Sequence, residues 1–350
     1  IHPNSGVKHK GLYLGASELN AKGKDREPTG LSYIKDLGIT HIEFLPFNDF
    51  AGVDEVEPHK DYNWGYNPIH FNVPEGSYST NPSDPYARII ELKQLIDAIH
   101  VQGIRVIMDV VYNHVYIRET SSFEKVVPGY YFRHNELGFP SNGTGVGNDI
   151  ASERKMVRKF IVDSIRFWME EYHIDGFRFD LMGILDVQTM KEVRKTCDSI
   201  QEGTLIIGEG WNLNTPLPID KKAIIRNQSK LLDIGQFNDK FRDTVKGNTF
   251  YLYDKGYVLG NEHYYEGAID VISGSIGINQ ETGGLLTEPS QSVNYVECHD
   301  NHTMWDKLVS CLPDSDHALH MKYHRLATGI VLLSQGIPFL HSGQEFFRTK

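Results

Sequence analysis

Short apolar runs alternate with longer amphipathic stretches, and most of the runs are apolar on both faces. Together these observations predict an α/β fold, a (β/α)8 TIM barrel spanning residues 1–350. The runs cover residues 40–47, 104–112, 174–181, 204–208, 231–237, 293–298 and 337–341. Parallel strands covered by helices have this character. No GxGxxG follows an early run, which argues against a dinucleotide-binding sheet. One strand of eight is missing from the pattern. Residues 1–30 hold no convincing strand, and only 342–350 follow the last run. The expectation is therefore a barrel lacking its first strand and last helix.

The elements follow in order. The run 40–47 leads into a long connection, 51–85, rich in Gly, Asn, Pro, Tyr and His. A helix is expected over 85–101, where Ile89, Leu92, Leu95, Ile96 and Ile99 form an apolar stripe. The run 104–112 leads into a second long connection, read as a short loop insertion over 115–150. Further helices are expected over 151–172, 187–200 and 320–334, the last stopping at Gly336-Ile337-Pro338. Both long connections follow strand C-terminal ends, where barrel active sites are built.

Composition narrows the function. A chain of 350 residues can bury a large core. Against 35 Lys and Arg stand 46 Asp and Glu, a net charge of −11 with no basic run of five. Nucleic acid and anionic membranes are poor partners for such a chain. No apolar run approaches the roughly 20 residues of a membrane helix. Residues 1–10 contain no signal-peptide core. The chain starts at Ile1, so an upstream segment stays open, as does the compartment, cytoplasmic or secreted. Cys197, Cys298 and Cys311 cannot all pair and no CxxC occurs, which disfavours a disulfide framework or structural zinc.

Carboxylates at strand ends carry the chemistry. In IDGFRFDL, alternation puts Arg178 and Asp180 on one face and Phe177 and Phe179 on the other. An Arg beside an Asp keeps it ionised, and an ionised carboxylate at a barrel mouth suits a nucleophile. The alternative is a structural ion pair plugging the barrel. The next strand ends at Glu209, with Trp211 two residues on. Neighbouring strands would put Asp180 and Glu209 about 5–5.5 Å apart, the spacing of a retaining glycosidase pair. A raised pKa would let Glu209 donate a proton; the alternative is a solvated loop glutamate. Near the chain's end, Glu297-Cys298-His299-Asp300-Asn301-His302 holds five polar residues in six, more than packing explains. A third carboxylate, Asp300, could stabilise an oxocarbenium-like transition state or hold sugar hydroxyls. Asp109 interrupts an apolar run and needs a partner if buried, with Arg178 the candidate. His114, His299 and His302 invite a metal reading, but no HxH, HExxH or Cys/His cluster occurs. Tyr62, Trp64 and Tyr66 lie within five residues, and flat rings stack on sugar faces. Core packing is the alternative for aromatics, strong for Trp168 on its amphipathic helix.

These residues resemble the α-amylase family of glycoside hydrolases. Its four motifs, on barrel strands three, four, five and seven, read here DVVYNH (109–114), GFRFDLMG (176–183), GEGW (208–211) and ECHDNH (297–302). Within that family, YNWGYNP (62–68), PEGSYS (74–79), QFNDKFRD (236–243) and PFLHSGQEFFRTK (338–350) are similar to the type I pullulanase branch. The resemblance implies Asp180 as nucleophile, Glu209 as general acid/base and Asp300 as transition-state stabiliser. It implies sugar contacts from Arg178, His114 and His299, a stacking ring at Tyr66, substrate contact at Trp64, and an acceptor-side platform at Trp211. Asp109 matches the structural carboxylate of the first motif and is counted with the substrate-binding set. In many members the asparagine matching Asn113 helps bind calcium, which makes calcium a candidate ligand; no organic cofactor is required. The partner implied is an α-glucan polysaccharide or oligosaccharide. The expected function is retaining hydrolysis of α-1,6-glucosidic branch linkages in pullulan, amylopectin and limit dextrins. The alternatives are an isoamylase or α-1,4-amylase specificity, a non-catalytic glucan-binding scaffold, and a metal hydrolase.

Overall fold

Every one of the seven apolar runs overlaps a strand of a parallel ladder. The computed structural model describes residues 4–60, 62–278 and 283–350. The chain divides into two units, Ile1–Ile206 with Trp211–Ala223, and Ile207–Gly210 with Ile224–Lys350.

The first unit begins with two short helices, α1 (Tyr13–Ser17) and α2 (Gly30–Asp36), and β1 (His41–Phe44) follows them. No strand precedes β1 among the described residues, in line with the expected gap. Inside the first long connection lie β2 (Asn48–Phe50) and β3 (Pro68–Pro74), an antiparallel pair. The sequence did not reveal this pair because its register shifts twice, and each shift breaks the two-residue alternation that marks a strand. Next come α3 (Pro85–Val101) and β4 (Arg105–Val110). The start of α3 is set by Asp84, whose side chain accepts from the Tyr86 N–H, and by Pro85 at the first helical position. Leu92, Leu95, Ile96 and Ile99 are buried as the stripe requires.

The second long connection contains α4 (Ser122–Val126) and is stitched shut at its base. The Asn148 side chain bonds both backbone groups of Val115, at 3.0 and 2.8 Å, and the Ile150 N–H donates to the Asn113 carbonyl. Then follow α5 (Lys155–Tyr172), β5 (Gly176–Phe179), α6 (Val187–Ile200) and the start of β6 (Leu205–Gly208). Strand β4 pairs with β1 and with β5, placing Asp109 opposite Arg178. The α5 face of Val157, Ile161, Ile165 and Trp168 is buried.

The second unit continues β6 and adds β7 (Gly235–Phe237), α7 (Asp239–Lys246), α8 (Tyr265–Ile272), β8 (Ser292–Asn294), α9 (Met304–Cys311), α10 (His317–Leu333) and β9 (Ile337–Pro338). Within it β7 pairs with β6 and β8, and β8 with β9, all parallel. Phe241, Val245, Val271, Val296, Met304, Leu308, Ala327 and Val331 form its core. Strand β8 ends at Asn294, short of the expected Cys298, so the polar motif 297–302 lies in irregular backbone. No described helix is long and apolar enough to cross a membrane.

Trp168 is fully buried and its indole N–H donates to the Phe71 carbonyl at 3.0 Å. Trp168→Phe should cost about 1–3 kcal/mol through the orphaned carbonyl, and Trp168→Ala about 3–5 kcal/mol. Urea unfolding of both variants measures the difference.

Candidate active site

In the first unit the candidate residues converge on one guanidinium. Arg178 bonds both Asp109 oxygens at 3.0 Å and Asp180 Oδ1 at 2.8 Å. Alternation along β5 produces this: Phe177 and Phe179 are fully buried, and Arg178 is directed across to Asp109 on β4. The second Asp180 oxygen accepts from the Asn113 amide at 2.8 Å, and the same amide reaches the Asp180 carbonyl. Both oxygens of the expected nucleophile therefore have a donor. Leu181, next in the chain, holds φ at 41°, a left-handed conformation costing a bulky residue roughly 1–3 kcal/mol.

Asp109 is fully buried; burial pushes its carboxyl up, with the Arg178 guanidinium pulling against it. Tyr66 donates its hydroxyl to Asp109 Oδ2 at 2.6 Å, and its ring lies 5.8 Å from the Arg178 cation. Burial, then the Asp109 charge, pushes the Tyr66 phenol well up, so it stays a donor. Gly65 permits the approach. Its φ is 93°, and a Cβ there would stand 2.7 Å from the Pro46 carbonyl oxygen. His114 donates from Nε2 to the Tyr66 carbonyl at 3.0 Å. Burial pushes His114 toward the neutral imidazole, opposed by Asp180. Trp64 is exposed and Trp211 half-buried, as suits rings that meet a ligand.

Asn113 does not fit a calcium. It is buried, its amide is spent on Asp180, and its oxygen lies 2.5 Å from His114 Nδ1. Asp49, Glu55 and Glu75 form a carboxylate group that the sequence reading missed, their ligand atoms within 4.8 Å of one another. Arg88 forks onto Glu55 at 3.0 and 2.6 Å, His70 meets Asp49 at 2.5 Å, and the Phe50 and Ser77 amides feed Glu75. Each carboxylate is already answered by the protein, as in a structural network.

In the second unit Glu209 is buried at the end of β6. Its neighbour Gly210 has no room for a side chain, since a Cβ would stand 2.1 Å from Gln236 Oε1. Asp300 is half exposed, with His299 Nε2 at 3.7 Å. Asn301 behind it is left-handed, φ 56°. Glu297 is almost wholly buried, accepts from the Met304 N–H at 2.7 Å and lies 3.2 Å from His341 Nδ1. It is a support for the motif. Lys246 is buried nearby, and its ammonium reaches the His302 carbonyl at 3.4 Å.

Two outcomes test this geometry. Tyr66→Phe should cut kcat/KM by roughly 5–30-fold, because it deletes a bond to a buried charge, and Tyr66→Ala should cut it further by removing the ring. The sequence reading assigned Tyr66 to stacking; the structure gives the hydroxyl work as well. Burial holds the Lys246 ammonium down to about 7. The folded chain thus sheds a proton that the unfolded chain keeps until about pH 10.4, so stability rises across that window. Thermal melts should show wild type gaining on Lys246→Met from pH 7 to pH 10.

No protein-family model matches the chain. It is 55% identical to the pullulanase of Bacillus subtilis over 350 residues, covering all of this chain and 49% of that protein. It is 30% identical to the chloroplastic pullulanase 1 of Arabidopsis thaliana, covering 98% of this chain and 44% of the relative. The crystal structure of the Anoxybacillus sp. LM18-11 pullulanase complexed with maltotetraose matches with a TM-score of 0.97 at 59% identity, over 100% of this chain and 50% of that one. The type I pullulanase of Bacillus subtilis complexed with maltose matches at 0.98 and 55% identity, over 100% and 49%. The fold is accordingly a partial TIM barrel of the pullulanase kind. The chain spans about half the length of these two curated relatives, and over its whole length it belongs to the type I pullulanase family.

Proposed function

We propose that the chain supplies the catalytic groups of a retaining α-glucan debranching hydrolase, which cuts α-1,6-glucosidic bonds in pullulan, amylopectin and limit dextrins. The observation that carries this is the setting of Asp180: one oxygen on Arg178 and the other on Asn113, both at 2.8 Å. A carboxylate so held is fixed in direction, as a nucleophile for an anomeric carbon must be. Asp180 attacks that carbon while Glu209 protonates the departing glycosidic oxygen. A covalent glycosyl-enzyme forms, and Glu209 then takes a proton from the water that releases it. Asp300 faces the positive charge that develops on the ring. Tyr66, Trp64 and Trp211 offer ring faces to sugars, and His299 offers a hydrogen bond to a hydroxyl, while His114, with Nε2 on the Tyr66 carbonyl and Nδ1 against Asn113, holds the Tyr66 segment in place. The crystallised pullulanase relatives bound to maltotetraose and maltose support α-glucan as the ligand class.

Hydrolases of this family use no organic cofactor. The engaged Asn113 side chain argues that calcium is not held there, and chelation is expected to leave turnover unchanged.

Asp180→Asn, Glu209→Gln and Asp300→Asn should each lower turnover on pullulan by roughly 10³-fold or more, with the fold retained in circular dichroism and melts. Retention of more than a tenth of the rate in Asp180→Asn would remove it as nucleophile. Maltotriose as the product from pullulan supports the α-1,6 specificity, and cleavage of linear amylose alone would favour an α-1,4-amylase. NMR of the first-formed anomer tests retention.

A further inference from the structure

Asp300 sits in backbone that no sheet holds. Strand β8 ends at Asn294, and α9 starts only at Met304. Between them Asn301 is left-handed, φ 56°. Three of these carbonyls are claimed by two lysines. The Lys350 ammonium donates to the carbonyl of His299 and, at 2.6 Å, to that of Asn301, the residues on either side of Asp300. The Lys246 ammonium reaches the next carbonyl, of His302, at 3.4 Å.

Lys350 is itself fixed. Its own N–H donates to Asp306 Oδ2 at 3.1 Å, and the Thr349 hydroxyl donates to Asp306 Oδ1. Asp306 closes a capping box with Thr303 at the start of α9, the same turn that terminates the Asp300 stretch. The segment 349–350 is thus strapped to α9, and from there its ammonium grips the loop. Burial lowers the proton affinity of Lys350, while Cys298 and Asp300 raise it, as expected of an ammonium beside that carboxylate.

We propose that Lys350 is a positioning residue for Asp300: by bonding the carbonyls on both sides it sets the direction of the turn and so the aim of the carboxylate. The inference rests on the reading of Asp300 as a catalytic carboxylate. An ammonium offers several donors from one point, so a single side chain can tie two carbonyls that converge on it. The Asp300 side chain stays half exposed, with its backbone held from behind.

The test uses the active enzyme with Lys350→Met, which keeps the stem and loses the donors, Lys350→Arg, which keeps charge and donors, and Asp300→Asn as reference. A misaimed catalytic group costs on the order of 10- to 100-fold. We expect Lys350→Met to lower kcat on pullulan by that amount with KM little changed and the melting temperature nearly kept, and Lys350→Arg to recover much of the loss. If Lys350→Met fails to fold, Thr349→Val, which loosens the strap, should lower kcat several-fold with KM unchanged. A wild-type kcat in Lys350→Met, a change confined to KM, or a melting loss that accounts for the activity loss in every variant would overturn the proposal. An active Asp300→Asn would overturn the reading of Asp300 itself. An inactive Asp300→Asn beside an unimpaired Lys350→Met would overturn the positioning role alone.

Discussion

Two carboxylates share one cation in the first unit, and the arrangement around them follows from that charge balance. Arg178 and Asp109 are almost wholly buried, and Asp180 is largely so. Removing such charges from water costs several kcal/mol per ion unless they are paired with good geometry. The pairing is achieved across neighbouring strands, Asp109 on β4 in register with Arg178 on β5. A one-residue slip would turn Arg178 to the other face, so the ion pair and the strand register specify each other. With one cation for two carboxylates, further donors are needed. Tyr66 supplies one to Asp109 and Asn113 one to Asp180.

Each of two candidate catalytic carboxylates is followed by a residue in the left-handed region, Leu181 after Asp180 and Asn301 after Asp300. Such backbone lets a strand or loop present one side chain and then turn sharply away. It persists only where the surroundings over-determine it. Around Asp180 the surroundings are the ladder and the ion pair. Around Asp300 they are lysine ammoniums, the Thr303–Asp306 cap and the buried Glu297. Two physical means reach the same local conformation.

Much of this was legible in the sequence, for reasons that show in the particular elements. The run 104–112, mostly apolar on both faces, and the run 174–181, apolar on its Phe177 and Phe179 face, are direct records of buried parallel strands, and β4 and β5 lie inside them. Helices α3 and α6 match their predicted bounds because their stripes, and for α3 a proline start, are local signals. The Arg178–Asp109 partnership followed from a charge that had to be answered. What stayed hidden was non-local or irregular. The β2–β3 pair has a shifted register, and the Asp49, Glu55, Glu75 and Arg88 network joins residues far apart in the chain. Glu297 looked like one more polar residue in a chemical motif, and only burial shows it to be a support. Nothing in the spacing of Lys246 or Lys350 announces that each reaches the same loop.

The closed base of the second long connection has a consequence of a different kind. Asn148 reaches across 33 residues to Val115, and Ile150 meets Asn113, so the chain leaves and re-enters through one hydrogen-bonded neck. Loop-closure entropy grows only slowly with length once such a neck exists. Beyond the neck the connection is anchored again, with Phe123 stacked on Phe71 and the buried Arg133 donating to the Ile184 carbonyl at 3.0 Å. Room for change is therefore confined to the exposed tip, residues 135–140, where length can vary while the neck and its anchors keep Asn113 on Asp180.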